Sequence, residues 1–345
     1  MRSLYPEHAE LRGRVGMVIP AWYPPGVPAA EAARLLATTL ADNWALVRLE
    51  DVMVVVDGSD AARTAAASVT QDLGDAGHGA VEVLDFQTNA GKGAALGAGF
   101  RRLLEHTELE WFGVRDADGD HFIEDLPHLY RIAEQVTADC PNRPVCVVGS
   151  RANVHAPLGW LRGEFELLLN EIVVDALAFA LAREGRAWDT RYLALRAPDL
   201  QSGYKLYNRQ AVEIATRGLE TQAKAHPDFS LLRTGMEIVP FVEVALAGGI
   251  AAEVQRKTFY DQPVTSYGRV ELHRFYGRKL AWALKRCAVP SGAATVLLDG
   301  ALARRPLFTD PQGRTHALAM RELVMDALGG NPQARASGPR ARRFL

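Results

Sequence analysis

Short apolar runs alternate with helix-patterned stretches through the first half of the chain, and this alternation limits the fold more than any other feature. Val15–Ile19 reads as a strand that stops at Pro20, followed by helical spacing over Ala29–Leu40. Val52–Val56, Val81–Leu84, Glu110–Val114 and Val145–Val148 read as further strands, with helical patterns over Ala61–Leu73, Gly93–His106 and Leu126–Val136 between them. Such an order implies a mainly parallel sheet covered on both faces. Ligands of these sheets sit outside the carboxyl ends of the strands. The runs end on Asp57-Gly58-Ser59, Asp116 and Gly149-Ser150-Arg151, so polar groups gather where a ligand would be.

The second half is helical and apolar over Gly159–Ala182, then polar and turn-rich over Arg186–Leu206. Gln210–Arg217 and Met236–Leu246 read as helices, and Ala251–Thr258 as a strand. Val270–Arg286 is a basic amphipathic helix, which suits either an anionic membrane surface or the cover of a sheet with its charges in water. Helical patterns follow over Ala293–Leu302 and His316–Leu328, and Asn331–Leu345 has the composition of a loose tail.

At 345 residues, 48% hydrophobic and 23% charged, the chain suits one large α/β domain with an appendage. A net charge of −2 gives no electrostatic case for nucleic acid. Cys140, Cys146 and Cys287 form no metal or disulfide spacing, which fits reduced thiols in a cytoplasmic protein. Met1–Arg14 lacks the apolar run of a signal peptide. Ile172–Ala182, broken by Asp175, falls short of the roughly 20 apolar residues of a membrane span. Any membrane contact is therefore expected to be peripheral.

Four motifs carry chemistry. In Arg115-Asp116-Ala117-Asp118-Gly119-Asp120-His121, two carboxylates one residue apart follow a strand, a pattern that can hold a divalent cation against a nucleotide diphosphate. A calcium loop of the EF-hand type is excluded, because His121 and Pro127 stand where Gly and Glu are needed; a solvated acidic turn stays open. Asn89-Ala90-Gly91-Lys92-Gly93 joins a strand to a helix and places a lysine where a phosphate could sit, or is a plain turn. It is not a Walker loop, since Gln87 lies four residues before Gly91 and no Ser or Thr follows Lys92. Asp57 can meet a nucleoside, while Ser59 or Asp60 can cap the next helix. Ala197–Leu206 is a dense polar loop in which Asp199 fits a turn as well as a catalytic role.

These pieces, in this order, resemble the family 2 glycosyltransferases of the GT-A fold, and more narrowly the dolichyl-phosphate glucosyltransferase and polyprenyl-phosphate mannosyltransferase branch. The matching stretches are Val18–Ala21, Val55–Ser59, Asn89–Ala94, Asp116–Gly119, Gly149–Ala152 and Asp199–Asn208. The resemblance implies that Pro20 and Ala21 line the base pocket and that Asp57 binds the nucleoside. Lys92 would approach the phosphates. Asp116 would reach the ribose or metal, Asp118 would bind Mg²⁺ or Mn²⁺, and Asp120 would add a ligand. Arg151 and Lys205 would meet phosphate, and Asp199, Gln201 and Glu237 would shape the sugar or acceptor end. Two positions depart from the family: Val56 replaces an acid, and Trp22-Tyr23 replaces the usual Asn-Glu.

The implied enzyme is an inverting hexosyltransferase (EC 2.4 class). UDP-glucose is the favoured donor and GDP-mannose the second, with a polyprenyl phosphate or a soluble hydroxyl compound as acceptor. A hydroxyl acceptor needs a base, for which Asp199 is the first candidate and Glu237 the second. The GT-A domain would span residues 1–268, with its nucleotide-sugar half at about 15–150 and its acceptor half at about 151–268. A helical extension would follow at 269–330, then the tail at 331–345. A sugar-nucleotide pyrophosphorylase would open with a G-x-G-T-R loop, absent here; a non-catalytic nucleotide-sugar sensor would lack the Asp199–Lys205 loop.

Overall fold

The computed structural model describes residues 11–41, 43–155, 159–194, 197–256 and 271–329. The expected tail and the residues around Val270 lie outside that set. Seven strands form one sheet: β1 Val15–Ala21, β2 Val52–Asp57, β3 Glu82–Phe86, β4 Trp111–Val114, β5 Val145–Arg151, β6 Lys205–Asn208 and β7 Ile250–Arg256. Their order is β3-β2-β1-β4-β6-β5-β7, parallel except for β6, which runs antiparallel to both β4 and β5. This is the mixed sheet of a GT-A nucleotide-sugar transferase fold.

Burial explains the strand sequences. β2 is buried at every residue and reads Val-Met-Val-Val-Val-Asp, whereas edge strand β3 alternates between exposed and partly buried positions. β1 runs two residues past its expected end, with Pro20 opposite Val55 and Ala21 opposite Val56. Among the described residues the longer helices are α1 Ala29–Leu40, α2 Asp60–Asp75, α3 Lys92–Leu103, α4 Leu126–Asp139, α5 Trp160–Arg183, α6 Arg209–Ala225, α7 Val239–Leu246, α8 Leu272–Arg286, α9 Ser291–Arg304 and α10 Pro311–Ala327. Helix α6 is twice as long as its expected span, because its polar residues continue the amphipathic face past Arg217. No described helix is long and apolar enough to cross a membrane.

The chain divides into two compact units. One holds Met1–Asn153 and Asp189–Gly268, the other Val154–Trp188 and Arg269–Leu345. The first contains the whole sheet and every candidate site residue. The second is built from α5 and α8–α10. Its core stacks Phe165 on Tyr276, ring centres 5.9 Å apart, beside buried Trp282, Leu298 and Met320. The apolar face of α8 is buried against α5 and α10, so this helix has no apolar face left to insert into a lipid surface.

Helix α3 lies close enough to the sheet that a Cβ on Gly99 would stand 2.5 Å from Val18 Cγ1. Gly99→Val should therefore destabilise the protein by about 1–3 kcal/mol through overpacking. Gly300→Ala in α9 meets only the flexible end of Arg304 and should stabilise by up to about 1 kcal/mol. Denaturant unfolding of both variants checks the pair.

Candidate active site at the carboxyl ends of the strands

The chain passes from β1 outward to β2 and β3, then returns to place β4 on the other side of β1. That switch point opens a crevice beyond the ends of β1 and β4. Into it run Pro20-Ala21 from β1 and the acid loop Asp116–Asp120 from β4. Ala21 is fully buried and Pro20 partly so.

The acid loop is held through its backbone. Tyr23 Oη donates to Ala117 O at 2.7 Å, between the two acids of the motif. Gly119 N donates to Thr39 Oγ1 at 3.0 Å, and Asp120 N to Asp118 Oδ1 at 3.1 Å. Asp116 N donates to His121 Nδ1 at 2.9 Å, so that nitrogen carries no proton. Burial, with Arg256 and Lys92 nearby, keeps His121 neutral, well below its ordinary range. Arg115, itself buried, bonds the carbonyl of His121 and Asn43 Oδ1 at 3.0 Å. Tyr23 is one of the residues that departs from the family pattern; Ser59 Oγ brackets its backbone and also caps α2 at Ala62 N.

The carboxylates face one another and a lysine. Lys92 Nζ lies 2.7 Å from Asp116 Oδ1 and 3.5 Å from Glu237 Oε1, so sequence-distant Glu237 joins the motif. Gly203 makes room for Asp116, whose Oδ2 would lie 2.5 Å from any Cβ there. Burial first, and then the charge of Asp116, push the Asp118 carboxyl up to about 7. Asp120 is buried, with Oδ2 3.9 Å from Arg256 Nη1. Hard oxygen donors under mutual repulsion fit a divalent cation, which would relieve that repulsion.

A second group can hold a metal. Among the described residues, the ligand atoms of Asp51, His106 and Glu108 all lie within 4.8 Å of one another. They sit before β2 and β4, at the opposite end of the strands from the acid loop. Arg48 already neutralises this group, with Nε 2.7 Å from Asp51 Oδ2 and Nη2 3.2 Å from Glu108 Oε1. The oxygens of Asp116, Asp118 and Asp120 do not all converge to that closeness.

Four expected roles meet different partners. Both carboxylate oxygens of Asp57 accept backbone N–H bonds, from Ala90 at 2.7 Å and Gly91 at 2.9 Å, so Asp57 fixes the loop before α3. The glycines of that loop admit the carbonyl of Leu232, which would stand 2.5 Å from a Cβ on Gly91 and 2.9 Å from one on Gly93. Arg233 bonds the Asn89 side chain and carbonyl from the same turn. Leu232 and Arg233 thus pack against the loop that leads into α3.

Arg151 clasps Asp199, with Nε on Oδ2 and Nη2 on Oδ1, each at 2.7 Å. Burial opposes the charge on Asp199, but Arg151 outweighs it and holds the carboxyl below the ordinary aspartate value. Lys205 Nζ donates to Leu200 O at 3.0 Å and to Ser202 O; burial lowers its pKa to about 8. Gln201 lies in the same turn, partly buried. Two residues of β7 complete this frame and were not singled out from the sequence. Glu253 accepts from Ser150 Oγ and from Ala194 N at 3.0 Å, and Arg256 Nε donates to Gly149 O at 3.0 Å. A Glu and an Arg in a strand that opens on three buried apolar residues was the available signal.

Fold and site together define a GT-A nucleotide-sugar transferase. The model of glycosyl transferase family 2 matches residues 27–213, more than half of the chain. The protein therefore belongs to glycosyltransferase family 2. Among solved structures it is similar to the mannosyltransferase PcManGT of Pyrobaculum calidifontis, in complex with GDP-Man and Mn²⁺, at 15% identity and TM-score 0.44, covering 91% of this chain and 86% of that one. TarS 1–349 of S. aureus is similar at 14% identity and TM-score 0.42, with 91% and 83% covered. A search of curated proteins finds no match. The likenesses select no branch of the family.

Removing one partner of the buried Arg151–Asp199 pair should cost about 3–5 kcal/mol, because the other is left charged and unpaired. Asp199→Asn is expected to show that loss at pH 7, and Arg151→Met/Asp199→Leu to recover much of it. The folded Asp199 carboxyl titrates below its unfolded value of about 3.9. Its contribution is therefore full above that value and lost as pH falls through the lower folded one. Denaturant melts at neutral and acid pH should show the gap between wild type and Asp199→Asn closing only at the acid end.

Proposed function

We propose that the protein moves a hexose from a nucleotide-diphosphate donor to an acceptor with the help of a divalent metal. The observation that carries this is the acid loop at the switch point of the sheet, with Lys92 and Glu237 drawn to its first carboxylate. UDP-glucose is the favoured donor and GDP-mannose the second, and the reaction inverts the anomeric centre. The acceptor is a polyprenyl phosphate, as in the dolichyl-phosphate branch, or a soluble hydroxyl compound. The work is placed in the cytoplasm or at the inner face of its membrane, where free thiols such as Cys140, Cys146 and Cys287 persist.

The nucleotide lies across the ends of β1 and β4, against the backbone of Pro20 and Ala21, with Gln201 toward the sugar. Mg²⁺ or Mn²⁺, when bound, supplies positive charge that stabilises the departing diphosphate. Asp118 and Asp116 would hold it, with Asp120 as a further ligand. Lys92 orients Asp116 by an ion pair at 2.7 Å. Its shared contact draws Glu237 to the reacting end. Glu237 rather than Asp199 takes the proton of a hydroxyl acceptor, since a carboxylate bound on both oxygens by Arg151 is a weak base. Asp199, Arg151 and Lys205 act by fixing the loop that the acceptor meets. A lipid phosphate is already an anion and needs no base.

Calorimetry of UDP-glucose and GDP-mannose, each with and without Mn²⁺, should find one donor that binds only with the metal. Asp118→Ala should lose that binding and all turnover with the fold retained; normal turnover in it would sink the metal role. With a hydroxyl acceptor, Glu237→Gln should lower kcat about 10²–10⁴-fold and leave donor affinity nearly unchanged.

A further inference from the structure

The net charge of −2 is the difference between two larger, opposed charges. The unit of Met1–Asn153 and Asp189–Gly268 carries 22 Lys and Arg against 31 Asp and Glu, net −9. The unit of Val154–Trp188 and Arg269–Leu345 carries 17 against 10, net +7. Charge sorted in this way bears on partners rather than on fold.

Five of these cations, Arg269, Arg335, Arg340, Arg342 and Arg343, lie outside the described residues; among the described ones, helix α8 gathers the most. It holds five Lys and Arg between Leu272 and Arg286, and no acid. Lys279 is buried, its ammonium 4.1 Å from the centre of the Phe275 ring. Arg274, Arg278 and Lys285 are exposed. At about 100° per residue they fall within roughly 40° of one another around the helix, opposite buried Tyr276 and Ala283. Exposed Arg183 joins them at the carboxyl end, where its Nη1 donates to Ala288 O at 3.0 Å. Arg274 sits in the first turn, where the helix dipole disfavours a cation, and Glu271 at 2.9 Å offsets only part of that. Lys285 in the last turn suits the helix dipole, but helix stability accounts for neither Arg274 nor Arg278.

Apolar side chains indicate the kind of partner. The large hydrophobics exposed among the described residues are Val83, Trp160, Val296 and Leu318, and the last three belong to this same basic unit. Cations together with an exposed Trp and aliphatic groups suit a bilayer interface, where headgroup phosphates meet hydrocarbon. Nucleic acid offers the phosphates without the apolar layer. We propose that the second unit docks the protein on an anionic lipid bilayer through Arg274, Arg278 and Lys285. The attraction is electrostatic and involves no insertion of α8, whose apolar face is already buried.

The test is cosedimentation of the full chain with phosphatidylcholine vesicles, with and without phosphatidylglycerol, at low and high salt. Binding is expected only with phosphatidylglycerol and only at low salt. Each cation near such a surface contributes about fivefold, so Arg274→Ser/Arg278→Ser/Lys285→Ser should bind roughly a hundredfold more weakly, with its unfolding midpoint unchanged. Arg278→Glu, a single exposed change, serves the same purpose if the triple variant fails to fold. Equal binding to both vesicle types, or variants that bind as well as wild type, would overturn the proposal. Tighter binding to duplex DNA than to phosphatidylglycerol vesicles in the same buffer would overturn the choice of a bilayer.

Discussion

Carboxylates crowded at the end of a buried strand repel one another, and much of the polar structure around β4 answers that repulsion. Two unit charges 4 Å apart near a protein surface interact by about 4 kcal/mol. A single hydrogen bond returns only about 1 kcal/mol. One bond could not hold Asp116 and Asp118 in place, but the loop has several. Tyr23, Thr39 and His121 each take a different backbone group, and Lys92 neutralises one carboxylate directly. Burial first, and then what remains of the repulsion, raises the Asp118 carboxyl. A loop held through so many backbone groups keeps its carboxylates in place despite their charge.

The same economy governs the opposite wall. Arg115 and Arg256 each approach the ring of Tyr204 at 6.0 Å, and His121 stacks on it at 5.2 Å. Their charges end on the carbonyls of His121, Gly149 and Asp120. Buried charges without partners are too costly to keep, so each of these groups is also a tie between segments. Together with Glu253 they lock the loop before β6 onto β5 and β7. A loop tied at so many points gives a site its shape before any ligand is present.

Much of the sheet was legible because parallel strands buried on both faces leave unbroken apolar runs. β6 was not, since Lys-Leu-Tyr-Asn is four residues long and carries a buried lysine. The acid motif was legible as a local pattern, whereas Glu237 entered beside it only through the fold, by way of Lys92. The glycines of Asn89–Gly93 look like a phosphate turn in one dimension. In three they are the space taken by Leu232. Charge offers the same lesson on a larger scale: a balanced total conceals an acidic and a basic unit, because the basic unit is assembled from two separated pieces of chain.

Residue identity therefore settles less about chemistry than the bonding capacity each side chain has left. Asp199 and Glu237 are both buried carboxylates near the same crevice. The first has both oxygens committed to a guanidinium that stabilises its charged form, which lowers its appetite for a proton. The second faces an ammonium it shares with Asp116, and that ammonium has a competing partner 2.7 Å away. The motif names the acids, and the fold supplies the partner that each of them meets.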